Sequence, residues 1–168
     1  MISFQRRRIV LIGLLPLVPG AALACGPQTE PQTPGPFFKP SSPERRNLRE
    51  KSGAAPLVVS GLVLSAACKP VANALLDFWH ADERGEYDEN GFRYRGHQFT
   101  DGEGRWRLET ILPAVYPGRT RHIHVKVQRP GGRVLTTQLY FPGEAANKRD
   151  GLFSDSLVLK NNTFDFVV

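Results

Sequence analysis

Residues 121–129 read Arg-His-Ile-His-Val-Lys-Val-Gln-Arg, and this stretch decides the fold class. Polar and apolar side chains alternate from His122 to Val127, the period of a strand with one face in a core. Ile123, Val125 and Val127 belong to the buried face, and His122, His124 and Lys126 share the other. Similar short runs recur on both sides: PLVVSGLVLS at residues 56–65, NALLDFWHA at 73–81, RWRLETI at 105–111, RVLTTQLYF at 133–141, DSLVLK at 155–160 and TFDFVV at 163–168. Turn formers separate them, among them Asn90-Gly91, Asp101-Gly102 and Pro130-Gly131-Gly132. No segment carries a long helical period. The pattern predicts an all-β domain over residues 56–168, a β-sandwich or small barrel with long loops and no internal repeat.

Residues 25–55 differ in kind. They are rich in Pro, Ser and charge and follow neither period, which predicts an extended arm able to wrap a neighbouring subunit of a homo-oligomer. Residues 1–24 have the parts of a cleaved export signal: Arg6, Arg7 and Arg8, an apolar run broken by Pro16 and Pro19, and the small-x-small site Ala22-Leu23-Ala24. That run is too short and too proline-broken to span a membrane. The mature chain is then expected to begin at Cys25, in the periplasm or outside the cell. Two readings meet at Cys25, simple cleavage and a lipoprotein-type lipid anchor. The arginines followed by Ile9 and Val10 also resemble a twin-arginine signal. Cys25 and Cys68 are too few for a disulfide framework or a metal cluster; they could form one bridge in an oxidising compartment, whereas lipid on Cys25 leaves Cys68 single.

The 168 residues fit one domain, and 40% hydrophobic with 23% charged residues is ordinary globular composition. The formal charge of +6 includes the three arginines of the export signal, which carries no acid, and falls by three to +3 without them. No cluster of aromatic and basic residues suggests a nucleic-acid surface.

Two imidazoles at i and i+2 on one strand face project side by side, near enough to share a metal ion, although strand faces also carry histidines without function. Tyr116 lies just before this strand, and Tyr87 lies in the polar loop ADERGEYDENG, an odd place for a tyrosine whose only task is packing. Phenolate is a hard anionic ligand, and with two neutral imidazoles it favours ferric iron over zinc or copper(I). The alternative is that both phenols cap the sandwich edges, ring inward and hydroxyl in water.

Several ordered pieces together resemble the intradiol ring-cleavage dioxygenases, most of all the protocatechuate 3,4-dioxygenase type. They are TPGPFF in the arm, residues 56–88, the segment RGHQFTDGEGRWRLETILPAVYP, then GRTRHIH, and finally TTQLYFPG. They cover nearly all of the chain beyond residue 24. The resemblance implies a β-sandwich and a non-haem iron(III) held by Tyr87, Tyr116, His122 and His124. It also implies catalytic roles for Arg119, three residues before the first histidine, for Gln138 in TTQLYFPG, and for Tyr116 as the ligand that leaves and takes a substrate proton. The implied reaction cleaves a small aromatic diol of catechol type with O2, between its hydroxyl-bearing carbons, to a cis,cis-muconate-type diacid.

The chain departs from the family pattern in places. His80 stands where glutamine is common, as a tempting fifth ligand, although strand alternation assigns it and His97 to supporting positions. Trp106 replaces an aromatic of tyrosine type, and the link from Tyr116 to His122 is short, which predicts an open pocket. A second class of protein shares the cadence of residues 61–79 and 100–111: exported transthyretin-like β-sandwich binding modules without catalysis. Such a module has no need to keep Tyr87, Tyr116, Arg119 and the two histidines together.

Overall fold

The computed structural model describes residues 25–50 and 53–168, so the expected export signal at residues 1–24 lies outside the described residues. Seven strands occur among the described residues: β1 (Pro56–Leu64), β2 (Leu75–Trp79), β3 (Arg95–Phe99), β4 (Arg105–Ile111), β5 (His122–Gln128), β6 (Val134–Tyr140) and β7 (Phe166–Val167). They build two sheets, one ordered β4-β1-β7 and the other β3-β2-β5-β6, which is the expected sandwich. Neighbouring strands run antiparallel except β1 and β7, which pair in parallel.

The core lies between the sheets and follows the alternation of the sequence. Ile123, Val125 and Val127 of β5 meet Leu76 and Phe78 of β2, Val59 and Val63 of β1, Leu108 and Trp106 of β4, and Phe166 of β7. All are buried. Each large apolar side chain so enclosed favours folding by roughly 1.5–3 kcal/mol over the exposed state.

Two elements differ from the sequence-based expectation. β3, with the sequence RGHQF, gave no strand signal because polar residues occupy both of its faces. It pairs with β2 on one side, and on the other its His97 exchanges backbone hydrogen bonds with Pro43 and Arg45 of the arm. The run DSLVLK opens instead with a 3-10 turn at Asp155–Leu157, where the Ser154 and Ser156 hydroxyls donate to the Glu30 carboxylate. A second 3-10 turn covers Ala145–Arg149. Among the described residues no helix is long and apolar enough to cross a membrane.

The arm folds onto its own chain. The amide of Gln32 donates to the Thr136 carbonyl at the β6 edge, residues 43–45 run beside the β3 edge, and the Leu48 amide reaches the Glu109 carbonyl of β4. The strap thereby crosses the outer face of the four-stranded sheet from one edge to the other. Leu48 is fully buried and joins the core. Near its start the arm is tied to the β1–β2 connection by a disulfide between Cys25 and Cys68.

Candidate functional site

Residues directly opposed on neighbouring strands share a sheet face, so register alone lines up part of the site. Trp79 stands opposite both Arg95 and His124, His124 opposite Gln138, and His122 opposite Tyr140. This cluster sits on the outer face, under the arm, and there His122 is 5% and His124 3% exposed. The strand alternation therefore separates a core face from a second covered face, not from solvent.

Donor atoms converge here. His122 Nε2 lies 3.1 Å from His124 Nε2 and 3.2 Å from the Tyr87 hydroxyl oxygen. Nδ1 of His122 lies 2.6 Å from the Thr120 carbonyl, a contact that only a protonated Nδ1 can make as donor, so the Nε2 lone pair is free to point at its neighbours. Trp79 stacks on the His124 ring with centroids 4.9 Å apart and planes 2° apart, which fixes the plane of that imidazole. Burial pushes the His122 pKa down to about 4, partly opposed by its bond to Thr120. His124 is driven well below the ordinary value by burial, with His122 and Arg119 adding to the effect. Both rings are therefore neutral, the form that binds metals.

Tyr87 arrives on a loop organised by two aspartates. Asp82 accepts hydrogen bonds from the Arg84 and Glu86 amides and pairs with Arg93, and Asp88 accepts from the amides of Asn90, Gly91 and Arg93. Such carboxylate-capped turns hold a loop without strand or helix. Gly85 brings the loop against the segment that carries Tyr116: at φ +85°, an added Cβ would lie 2.4 Å from the Val115 carbonyl oxygen. The Tyr87 ring stacks on Phe37 of the arm, and the Tyr116 ring meets both edge-on, 5.4 Å from Phe37 and 5.8 Å from Tyr87. Burial raises the Tyr87 pKa, with Arg119 and Arg95 opposing it, so a strong cation is needed to make this phenol a phenolate at neutral pH.

Arg119 and Gln138 also meet. Arg119 Nη2 donates to Gln138 Oε1 at 2.8 Å, and Gln138 Nε2 donates to the Thr33 carbonyl of the arm at 3.1 Å. The structure thus gathers Tyr87, His122 and His124 at one point, Tyr116 by its ring, and Arg119 with Gln138 beside them. No hydrogen bond joins the Tyr116 hydroxyl to either imidazole. His80 is not aimed at this point: fully enclosed, its Nε2 lies 2.6 Å from the Thr110 hydroxyl and its Nδ1 2.7 Å from the Ala81 carbonyl. His97 contacts Ser42 in the arm.

The donor set suits one metal ion. Two ring nitrogens 3.1 Å apart, and a phenol oxygen 3.2 Å from one of them, can share an ion at ordinary coordination distances of about 2.0–2.2 Å once it takes the place of the protons between them. Nδ1 of His124 is buried without a hydrogen-bond partner, so its ring is oriented by the Trp79 stack and by what Nε2 meets, which is His122 Nε2 here and would be the ion when one is bound. Among the described residues no group of three or more His, Cys, Asp or Glu could hold a metal, so the phenol oxygens decide the chemistry.

Sequence reasoning missed three participants. Phe37 was seen only as part of a motif. Arg95, 2% exposed, donates to the Asp88 and Phe37 carbonyls and ties the Tyr87 loop to the arm. Asp150 binds Arg119. A buried arginine and aspartate flanking the tyrosine and histidine motifs are signals, but sequence distance hides their partners.

The two-sheet fold has known counterparts. The dioxygenase family model matches residues 34–162, and the chain belongs to this family, the intradiol dioxygenases. Hydroxyquinol 1,2-dioxygenase of Nocardioides simplex is 30% identical over 162 residues, covering 80% of this chain and 55% of that protein. The protocatechuate 3,4-dioxygenase beta chain of Burkholderia cepacia is 37% identical over 116 residues, 58% of this chain and 49% of the relative. The chain thus spans about half the length of these curated relatives. Among solved structures, the dioxygenase domain of a dioxygenase carbohydrate-binding protein fusion from Streptomyces sp. SirexAA-E superposes with a TM-score of 0.81 at 53% identity, covering 84% of this chain and 98% of that one.

Proposed function

We propose that the chain is an iron(III)-dependent intradiol dioxygenase that cleaves a catechol-type diol with O2 to a cis,cis-muconate-type diacid. The observation that carries this reading is that His124 Nε2 and the Tyr87 hydroxyl each lie within 3.2 Å of His122 Nε2, beside the Arg119–Gln138 pair. Tyr87, Tyr116, His122 and His124 are the residues that would hold the iron. Bound ferric iron supplies a Lewis acid that draws electron density from a chelated diol and makes its ring reactive toward O2.

The residues of the chain do the rest. Tyr116, half-buried and with no hydrogen bond to the imidazoles, would be a phenolate when it holds the iron, and on release it would take one proton from the entering diol and become a neutral phenol. The Thr120 carbonyl keeps His122 in the tautomer that binds through Nε2. Phe37 covers the Tyr87 ring and limits water at the reacting carbons. Arg119 and Gln138 are oriented donors for negative charge that grows on the substrate oxygens.

Export is part of the proposal. A disulfide between Cys25 and Cys68 suits the periplasm or the cell exterior, and it occupies the sulfur that a lipid anchor at Cys25 would need. The deciding experiment loads the protein with ferric iron and follows O2 uptake with catechol, hydroxyquinol and protocatechuate. One O2 consumed per diol, with both atoms in the diacid, is expected. Stoichiometric iron without turnover on any diol refutes the catalytic reading and leaves a metal-binding module.

A further inference from the structure

Arg119 is held by its Nε end. That nitrogen donates to both oxygens of Asp150, at 2.9 and 3.0 Å, while Nη2 donates to Gln138. Nη1 has no protein partner among the described residues, and the Arg119 side chain is 18% exposed. A guanidinium is planar, so fixing two of its nitrogens fixes the direction of the third.

Asp150 is itself immobilised. Its side chain is 1% exposed, and its carboxylate accepts the Thr120 amide at 2.8 Å and the Leu152 amide at 2.9 Å. It follows the 3-10 turn Ala145–Arg149, and a cavity of about 290 Å³ opens beside it, lined by Arg119, Asp150, Val115, Gly118, Ala146 and Arg149. The contacts continue past Arg119: Gln138 Oε1 accepts Nη2, which leaves the Gln138 amide nitrogen to donate to the Thr33 carbonyl. The Tyr140 hydroxyl lies 3.3 Å from both Arg119 Nη2 and Gln138 Oε1, so Asp150 fixes the Nε end of the guanidinium while Gln138 and Tyr140 receive its Nη2 end.

We propose that Asp150 is the positioning residue of the site: it holds Arg119 through Nε and so aims Nη1 at the substrate oxygens. The inference rests on the proposed dioxygenase reaction. Asp150 touches no substrate; its bonds to the Thr120 and Leu152 amides serve the fold and iron retention, and its effect on the rate of the iron-loaded protein passes through Arg119, so that effect disappears when Arg119 is absent.

The test is a double-mutant cycle on the iron-loaded protein with Asp150→Asn, Arg119→Ala and the pair, reading kcat, KM, iron content and thermal midpoint. Asp150→Asn is expected to lower kcat by about 10-fold or more with full iron content, and the double variant to be no slower than Arg119→Ala. Thermal midpoints report separately on the loss of the Thr120 and Leu152 bonds. Arg119→Lys, which leaves Asp150 and its amide donors intact, serves if Asp150→Asn does not fold. A lysine keeps the charge but has a single nitrogen, so its kcat should fall nearly as far as that of Arg119→Ala. In the metal-free protein, the Arg119 Nε–H resonance should be protected from exchange in the parent and unprotected in Asp150→Asn. Multiplicative losses in the cycle, or an Arg119→Lys rate within a small factor of the parent, overturn the inference while the dioxygenase reading stands. A parent that turns over no diol overturns both.

Discussion

The ring of Phe37 lies over the ring of Tyr87 with centroids 4.4 Å apart and planes 10° from parallel. A residue of the arm is thereby stacked on a candidate metal ligand that stands 50 positions further along the chain. Stacked aromatic pairs contribute about 0.5–1.5 kcal/mol beyond the area they bury. Phe37→Leu should lower stability by roughly 1 kcal/mol in urea unfolding and shift the visible band of the iron-loaded protein. An unchanged band together with an unchanged unfolding midpoint would show that the stack carries nothing.

Metal removal and ligand variants give a second expectation. The iron-loaded protein should be coloured by phenolate-to-iron charge transfer, and a ferric chelator should bleach it. Tyr87→Phe and Tyr116→Phe should each alter the band, whereas His122→Ala and His124→Ala should lose iron and activity together. A colourless protein that takes zinc in place of iron would contradict the assignment.

Gly85 carries a third. Alanine there must adopt φ +85° and place Cβ 2.4 Å from the Val115 carbonyl oxygen, so the two loops bearing the tyrosines must part. Gly85→Ala should cost roughly 2 kcal/mol or more and weaken iron uptake, as read by denaturant midpoint and metal titration. Full iron affinity in a stable variant would show that the loops tolerate the separation.

His80 makes stability depend on pH. Burial lowers its folded pKa from 6.5 to about 4, partly opposed by its bond to the Ala81 carbonyl. The unfolded chain therefore takes up the proton first as pH falls. The stability this group contributes is complete above about pH 6.5 and is lost as pH drops through about 4, a total of about 3 kcal/mol. His80→Gln should flatten that part of the curve relative to the parent in metal-free protein, measured by urea midpoints between pH 7.5 and 4. Parallel curves would count against it.

The disulfide gives the last prediction. Closing a separation of 43 residues should contribute roughly 2–4 kcal/mol, so reduction or Cys68→Ser should lower the thermal midpoint by several degrees. Native protein should show no free thiol. Mass spectrometry that finds lipid on Cys25 would refute both the bridge and simple cleavage before Cys25.

The fold class was legible in the sequence because a strand writes its two faces into alternate residues. Ile123, Val125 and Val127 had to enter a core, and they do. Proximity along one strand likewise put His122 beside His124, and family motifs pointed to Tyr87, Tyr116, Arg119 and Gln138. Local pattern could not announce β3, since RGHQF is polar on both faces and becomes a strand only by pairing with β2 and the arm.

Tertiary structure alone decided the rest, because long-range contacts have no local period. Proline and charge marked residues 25–55 as an arm, yet only the folded chain lays Phe37 on Tyr87, binds Thr33 to Gln138 and ties Cys25 to Cys68. The face that alternation assigned to the polar side of β5 is thus a covered one, dry enough to keep both imidazoles neutral. Asp150 reaches Arg119 across 31 positions, and its role exists only where a guanidinium, a glutamine and a strap are packed at one sheet end.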